Sequence, residues 1–348
     1  MPAAPRLLSL ATAVPPYRLD QRDVIRRVEA LFEGAPSLAR LLPVFANAGI
    51  RARYSCVPIE WYDRPHGWPE RNETYVAGAL DLLERTTLSL LDRAGIGREQ
   101  VDAVVTVSTT GIATPSLDAL LIERMRLRPD VRRLPIFGLG CAGGVIGLAR
   151  AAAQALAAPG ETVLFLVVEL CALSFRRDDW SKSNIVATAL FGDGAAGALL
   201  STGGRGPTIA ASGEHTWPGS LDIMGWEVAD DGLRAVFSRD IPQLVATQLR
   251  GATDAFLARH GLAIEDVDRF VCHPGGAKVV DALEEAFGLG PGALAGARDV
   301  LRDYGNMSAA TVMFALEQML ATAQHWNRAL INALGPGFTA GFLVLDNR

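Results

Sequence analysis

Apolar residues recur along this chain with two different periods. Short runs in which they dominate predict strands over 101–108, 134–139, 162–170 and 195–200, and again over 268–272, 329–334 and 340–345. Spacing near 3.6 predicts helices over 74–94, 115–126, 144–157, 242–260, 276–287 and 308–323, several of them ending at glycine. Strands alternating with helices imply mostly parallel sheets covered on both faces. A turn-rich band at 201–220, STGGRGPTIAASGEHTWPGS, divides the chain near its middle. Each side repeats one plan: apolar strand, glycine-containing turn, small-residue helix. Two similar layered α/β halves are expected, 1–205 and 206–348.

Composition sharpens this. With 348 residues, 49% apolar and 20% charged, the chain can bury a large core. Its longest apolar run, TVLFLVVELCAL at 162–173, contains Glu169 and falls short of the ~20 residues that span a bilayer. It therefore reads as a buried strand, and no transmembrane segment is expected. The start, MPAAPRLLSL, lacks the apolar core of a secretory signal. Cys56, Cys141, Cys171 and Cys272 form no CxxC pair, which implies free thiols in a reducing cytoplasm. A net charge of −5 without a basic run gives no case for nucleic acid, yet permits a local basic pocket.

Three polar residues stand at junctions between apolar runs and small-residue helices. In LPIFGLGCAGGVIGLARAAA (134–153), Cys141 sits at a helix start. Unpaired N–H groups and the helix dipole there favour a thiolate. Alone, it is as easily a buried structural thiol. In RFVCHPGGAKV (269–279), His273 ends a strand, where an imidazole serves as base, as donor or simply as a cap. In DYGNMSAATVM (303–313), Asn306 offers a neutral amide suited to an oxyanion, or to an ordinary helix cap. Strand ends are where α/β proteins build sites, and together the three make an acyl-transfer set. His273 lies 132 residues after Cys141 and Asn306 follows, an order shared with papain-like proteases. The local context of the cysteine differs from theirs, so a thioester or peptide hydrolase ranks below acyl condensation. A non-catalytic binding module ranks lower still.

With these residues in view, the chain resembles type III polyketide synthases of the chalcone-synthase type, within the thiolase superfamily. The resemblance runs almost end to end through ATAVPPYRLDQ (11–21), GIRARYS (49–55), GCAGGVIGLARA (140–151), ALFGDGAA (189–196), HPGG (273–276), YGNMSAA (304–310) and GPGF (335–338). It is also similar to ketoacyl synthase III, which performs a single condensation, but YGNMS and GPGF favour the polyketide branch. The resemblance implies an α/β fold of five layers, αβαβα, from two similar halves with mixed sheets. The cysteine would lie in the first half and the histidine and asparagine in the second. It implies that Cys141 takes an acyl group from acyl-CoA. His273 would hold the thiolate and, with Asn306, grip the oxygen of malonyl-CoA as CO₂ leaves. No metal or redox cofactor is implied, only coenzyme A thioesters as substrates. A homodimer is implied, with a loop near Thr114 crossing into the partner.

The resemblance also places the substrate pocket. Phe191 matches an aromatic between the CoA tunnel and the reaction cavity. A second aromatic gate aligns with Ala235, which implies that this gate is missing. Thr109, Cys171, Ser174 and Ser308 fall at pocket positions, Trp226 narrows one wall, and Gly335, Pro336 and Gly337 form the GPGF turn. Arg40 and Lys278 match CoA-contacting positions, while basic neighbours of Arg40 are replaced by Pro43 and Asn47. Small residues around the sulfur and the missing gate favour a long acyl starter. The segment at 54–76 is similar to bacterial alkylpyrone and alkylresorcinol synthases, which implies a fatty acyl-CoA starter closed into one of those rings.

Overall fold

The computed structural model describes residues 3–32, 38–322 and 325–347. The first half holds strands β1 (Arg6–Ala13), β2 (Tyr17–Asp20), β3 (Ala52–Ser55), β4 (Ala103–Val107), β5 (Arg132–Ile136), β6 (Val163–Leu170) and β7 (Asp193–Ser201). Its helices are α1 (Gln21–Leu31), α2 (Leu38–Leu41), α3 (Pro43–Asn47), α4 (Trp68–Ala94), α5 (Leu117–Met125), α6 (Gly143–Ala157) and α7 (Lys182–Leu190). The second half holds β8 (Thr208–Thr216), β9 (Met224–Ala229), β10 (Gly232–Phe237), β11 (Arg269–Cys272), β12 (Arg328–Gly335) and β13 (Thr339–Asp346). Its helices are α8 (Ile241–Arg259), α9 (Ala277–Ala286), α10 (Ala295–Tyr304) and α11 (Thr311–Ala321).

Nine strands follow the order β11-β12-β13-β8-β1-β7-β6-β4-β5. The sheet is pinched at its centre, where β1 and β8 share a single residue pair, Arg6 with Thr208. On either side lies a half-sheet. Numbering main strands by chain order within each half gives 3-2-4-5-1 for the first and 2-3-4-1 for the second, which is the first order with its strand 3 left out and the rest renumbered. The second thus repeats the first without one edge strand. Pairing is mixed rather than mostly parallel. β4 runs parallel to β5 and β6, and β11 to β12. β7 and β13 are antiparallel to both neighbours. The reason is local at β12 and β13: a tight turn through Pro336, Gly337 and Phe338 joins them, and so short a connection forces antiparallel strands.

Side-chain alternation builds the layers. On β6, Val163, Phe165 and Val167 face one core while Leu164, Leu166 and Val168 face another. On β13, Leu343 and Leu345 join the first of these, and Phe342 and Val344 a third. The shared core encloses α6 and α11, with Val145, Leu148 and Val312 between the half-sheets. α4 covers one outer face through Leu82, Leu83 and Leu90. α8 and α9 cover the other through Val245, Leu249 and Val280. Helices, sheet, helices, sheet, helices make the five layers. The small residues of α6 let two half-sheets close on it. The segment 140–157 is apolar and long enough to cross a membrane, but most of it is buried between those sheets.

Several elements escape the hydrophobic pattern. β8 lies inside the turn-rich band 201–220, and its last residues are exposed and polar. β1, the β9–β10 hairpin, α1, α7 and α10 were likewise not predicted by periodicity.

Candidate active site

Cys141 occupies a 3₁₀ turn, Gly140–Ala142, that runs straight into α6. The turn is held from below by Thr109, whose hydroxyl accepts the Gly140 N–H at 3.1 Å. Gly140 has φ +46°, and a Cβ there would stand 2.5 Å from the Pro336 ring. The GPGF hairpin therefore packs directly against the cysteine turn. The Cys141 thiol donates to the Ser308 hydroxyl at 3.6 Å. Ser308 itself has φ +48°, an unusual backbone for a side-chain-bearing residue and of the kind that clusters at functional sites.

His273 follows β11 at its carboxyl end, with its N–H on the Asn332 carbonyl at 3.0 Å. It is 5% exposed, and neither ring nitrogen has a protein partner. Asn306 is 3% exposed and comes after α10 through Gly305, φ +71°. A Cβ at Gly305 would meet the Leu190 carbonyl at 2.8 Å. That close approach lets the Asn306 N–H reach Leu190 O at 2.8 Å, and lets Asn306 O accept from Gly192 at 3.0 Å. The asparagine is thereby tied to the end of α7, across the boundary between halves.

One hydrogen-bonded path connects all three residues. Cys141 donates to Ser308 Oγ, and the Ser308 N–H donates to Asn306 Oδ1 at 2.8 Å. Asn306 Nδ2 donates to Gly275 O at 3.1 Å, and the Gly275 N–H donates to His273 O at 3.1 Å. An amide has two N–H donors. With its oxygen and one of these engaged, Asn306 is fixed in orientation with one donor to spare. All three residues line one cavity of about 480 Å³.

Electrostatics differ from the expectation of a thiolate at a helix start. Burial pushes the Cys141 thiol up to about 11, the Ser308 contact opposes that, and the Glu169 charge adds to it. Burial also pushes His273 down to about 4. Desolvation penalises both charged forms and outweighs what the helix start offers. Glu169, wholly buried, accepts the Thr109 N–H at 3.0 Å and the Thr110 hydroxyl at 2.9 Å, and burial lifts it to about 8.

The pocket residues divide. Thr109, Ser308, Gly335 and Pro336 surround the Cys141 turn. Gly337 lies in the hairpin turn, its carbonyl accepting from Ser220. Phe191, Cys171 and Ser174 do not line the large cavity. They line a separate pocket of about 60 Å³, with Val24, Val28 and Phe175. Ser174 and Trp226 also border a third, of about 20 Å³. The gate position itself carries alanine, and an aromatic stands beside it. Ala235 is buried in a cluster with Cys171, Ala187 and Phe191, but Phe237, two residues on and on the same strand face, fills the space. Its ring lies 5.6 Å from Phe191, and Trp226 lies 5.7 Å from Phe191. Phe237 and Leu190 face the Cys141 cavity, so this aromatic group separates it from the pocket behind Phe191. Arg40 is exposed on α2 and is not among the cavity-lining residues, whereas Lys278 is.

Sequence reasoning passed over Lys182, Arg239 and Asn332, all lining the cavity. Asn332 is 1% exposed and neither side-chain polar atom has a partner. Phe237 could have been found by stepping two residues from Ala235. No metal-binding group of three or more His, Cys, Asp or Glu residues occurs among the described residues.

Comparison with known proteins agrees along the whole chain. The N-terminal domain model of chalcone and stilbene synthases matches residues 65–204, and the C-terminal domain model matches 209–347. The 1,3,6,8-tetrahydroxynaphthalene synthase of Streptomyces peucetius subsp. caesius is 39% identical, over 96% of this chain and 91% of its own. The synthase of the same name from Streptomyces griseus is 30% identical, over 96% and 90%. The crystal structure of that synthase from Streptomyces coelicolor A3(2), a bacterial type III polyketide synthase, superposes with a TM-score of 0.93 at 28% identity. It covers 98% of this chain and 99% of the other.

Proposed function

The chain belongs to the chalcone and stilbene synthase family, the type III polyketide synthases, and from that premise we propose that it extends a fatty acyl starter on Cys141 and closes the product into an alkylpyrone or alkylresorcinol ring. As a family member it is a decarboxylating acyltransferase that works on CoA thioesters and needs no cofactor. The residue roles are our assignment. The Cys141 sulfur attacks the acyl thioester, a C–S bond forms, and CoA leaves as its thiol. Malonyl-CoA then loses CO₂, and the electron pair of the broken C–C bond becomes an enolate. His273 and the free Asn306 N–H donate to its oxygen. The enolate carbon attacks the acyl-Cys carbonyl, a C–C bond forms, and the cysteine sulfur leaves. The observation that carries these roles is the hydrogen-bonded path joining Cys141, Asn306 and His273.

Burial alone keeps the thiol neutral at pH 7, so an imidazolium partner is what would bring its titration down. In His273→Ala, alkylation of Cys141 by iodoacetamide is expected to inflect at a higher pH than in the wild type, because the variant has no imidazolium to pair with the thiolate. Superimposable alkylation–pH profiles would remove His273 from this role.

The fatty starter is supported by the pocket behind Phe191, lined by Val24, Val28, Leu31 and Ile59, which an alkyl tail would enter past the aromatic group. The naphthalene synthase relatives favour a second reading, an aromatic product of that kind. Mass spectrometry of products from a starter-CoA panel with labelled malonyl-CoA separates the two. Long-chain acyl-CoA giving pyrone or resorcinol masses supports the first. Product from malonyl-CoA alone, with long chains left unused, replaces it with the second.

We also propose a cytoplasmic homodimer, with the first half at 1–205 and the second at 206–348. β5 ends the sheet with a free edge, and Phe137 just beyond it is 61% exposed, with Ile112 and Thr114 exposed nearby in sequence. Sedimentation is expected to report about twice the 37.0 kDa chain mass, and a monomer at micromolar concentration would rule the dimer out.

A further inference from the structure

Arg53 is a buried cation held by neutral groups. It lies on β3, is 2% exposed, and makes no ion pair among the described residues. Its guanidinium donates instead to three uncharged oxygens: the Gln21 side chain, the Thr188 carbonyl and, at 3.3 Å, the Phe191 carbonyl. Burial lowers it to about 10, so it stays charged at neutral pH. Taking a charge out of water without a counter-charge is costly. The oxygens around Arg53 must supply the compensation. Many arginines elsewhere in the chain are held by carboxylates, as Arg124 is by Asp81 and Glu84, and Arg328 by Asp346.

Those oxygens gather at one place. α7 ends at Leu190, and the last carbonyls of a helix find no partner inside it. Here four in a row are taken from outside. Arg53 takes Thr188 O and Phe191 O, the Gln21 amide takes Ala189 O at 3.2 Å, and the Asn306 N–H takes Leu190 O at 2.8 Å. Gln21, 6% exposed at the start of α1, also donates to Phe45 O on α3 at 3.2 Å. The arginine stem packs where the chain comes closest. A Cβ on Gly192 would meet Arg53 Cβ at 3.1 Å, and one on Gly305 would meet it at 3.3 Å. These two glycines adjoin the parallel bridge between Phe191 and Asn306. We propose that Arg53, with Gln21, is the positioning residue that sets where the Asn306 amide points, which rests on the reading of Asn306 as the enolate donor. Arg53 fixes the end of α7, and the end of α7 holds Asn306 through Leu190 O and the Gly192 N–H. A guanidinium suits this task because its planar fork offers several donors in one rigid geometry.

The test is a double-variant cycle in the full chain, read in two half-reactions. CO₂ release from malonyl-CoA needs the Asn306 donor, and acyl loading of Cys141 does not. Arg53→Met is expected to lower kcat for CO₂ release about 10–100-fold, the scale of losing hydrogen bonds from a charged group, with KM for malonyl-CoA little changed. Loading of Cys141 stays near wild type, which also shows that the variant is folded. Arg53→Lys recovers part of the loss. Gln21→Leu shows the same pattern in milder form, so the comparison does not hang on one variant. In Arg53→Met/Asn306→Ala, CO₂ release falls no further than in Asn306→Ala alone, because two residues acting through one donor do not add. Multiplied losses in the double variant overturn the positioning role. So do equal losses in loading and CO₂ release, or CO₂ release at the wild-type rate in Arg53→Met. A wild-type rate in Asn306→Ala is a different failure, which removes the donor role and the positioning role with it.

Discussion

Cys141→Ala is expected to abolish acyl loading and product formation, a loss of about 10⁶-fold on the scale of removing a catalytic nucleophile. The other thiols do not substitute. Cys171 is wholly buried in the aromatic cluster, and Cys272 is sealed beneath α9. Cys56 is driven well above its usual range by burial and by the Asp193 carboxylate. Only Cys141 lines the large cavity. Intact-mass spectrometry after incubation with acyl-CoA reads the step directly. The wild type gains one acyl group, and the variant gains none. Release of CO₂ from malonyl-CoA continues in the variant, because His273 and Asn306 remain. An acyl adduct on the alanine variant would transfer the nucleophile to another residue and end the assignment.

The path from the Cys141 sulfur to the His273 backbone shows what sequence could and could not carry. Cys141, His273 and Asn306 each stood at a junction of apolar run and small-residue helix, and such junctions mark where chemistry can be placed. That much is local. Their convergence is not, because it runs through backbone groups that any residue possesses: Gly275 O, Gly275 N and the Ser308 N–H. The apolar period found the strands with a fully buried face on each side, β4, β6, β12 and β13. It missed β8, where exposure lets polar residues replace the pattern. The aromatic beside Phe191 was passed over for a related reason. Aligning one position to Ala235 removed an aromatic that the strand returns at Phe237, because alternation and not exact position decides which face a side chain occupies. The thiolate expectation weighed the helix start and left out burial, which depends on every layer packed around the turn.

Asn306→Ala is expected to cut malonyl-CoA decarboxylation by about 10²–10³-fold, the loss seen when one donor to a developing oxyanion is removed. Loading of Cys141 should fall far less, because the acyl thioester step has no enolate to hold. The alanine variant also strips the Ser308 N–H of its acceptor, which could loosen the cysteine turn. Asn306→Asp separates these effects. The carboxylate keeps an oxygen for Ser308 but loses the donor and sets a negative charge against the enolate. A donor role therefore leaves the aspartate variant as poor as alanine in CO₂ release, with Cys141 loading retained in both. Were the side chain only a strut for the turn, aspartate would recover decarboxylation and alanine would lose loading and decarboxylation together. Measuring both half-reactions in both variants decides between a group that grips the substrate and one that merely holds its neighbours in place.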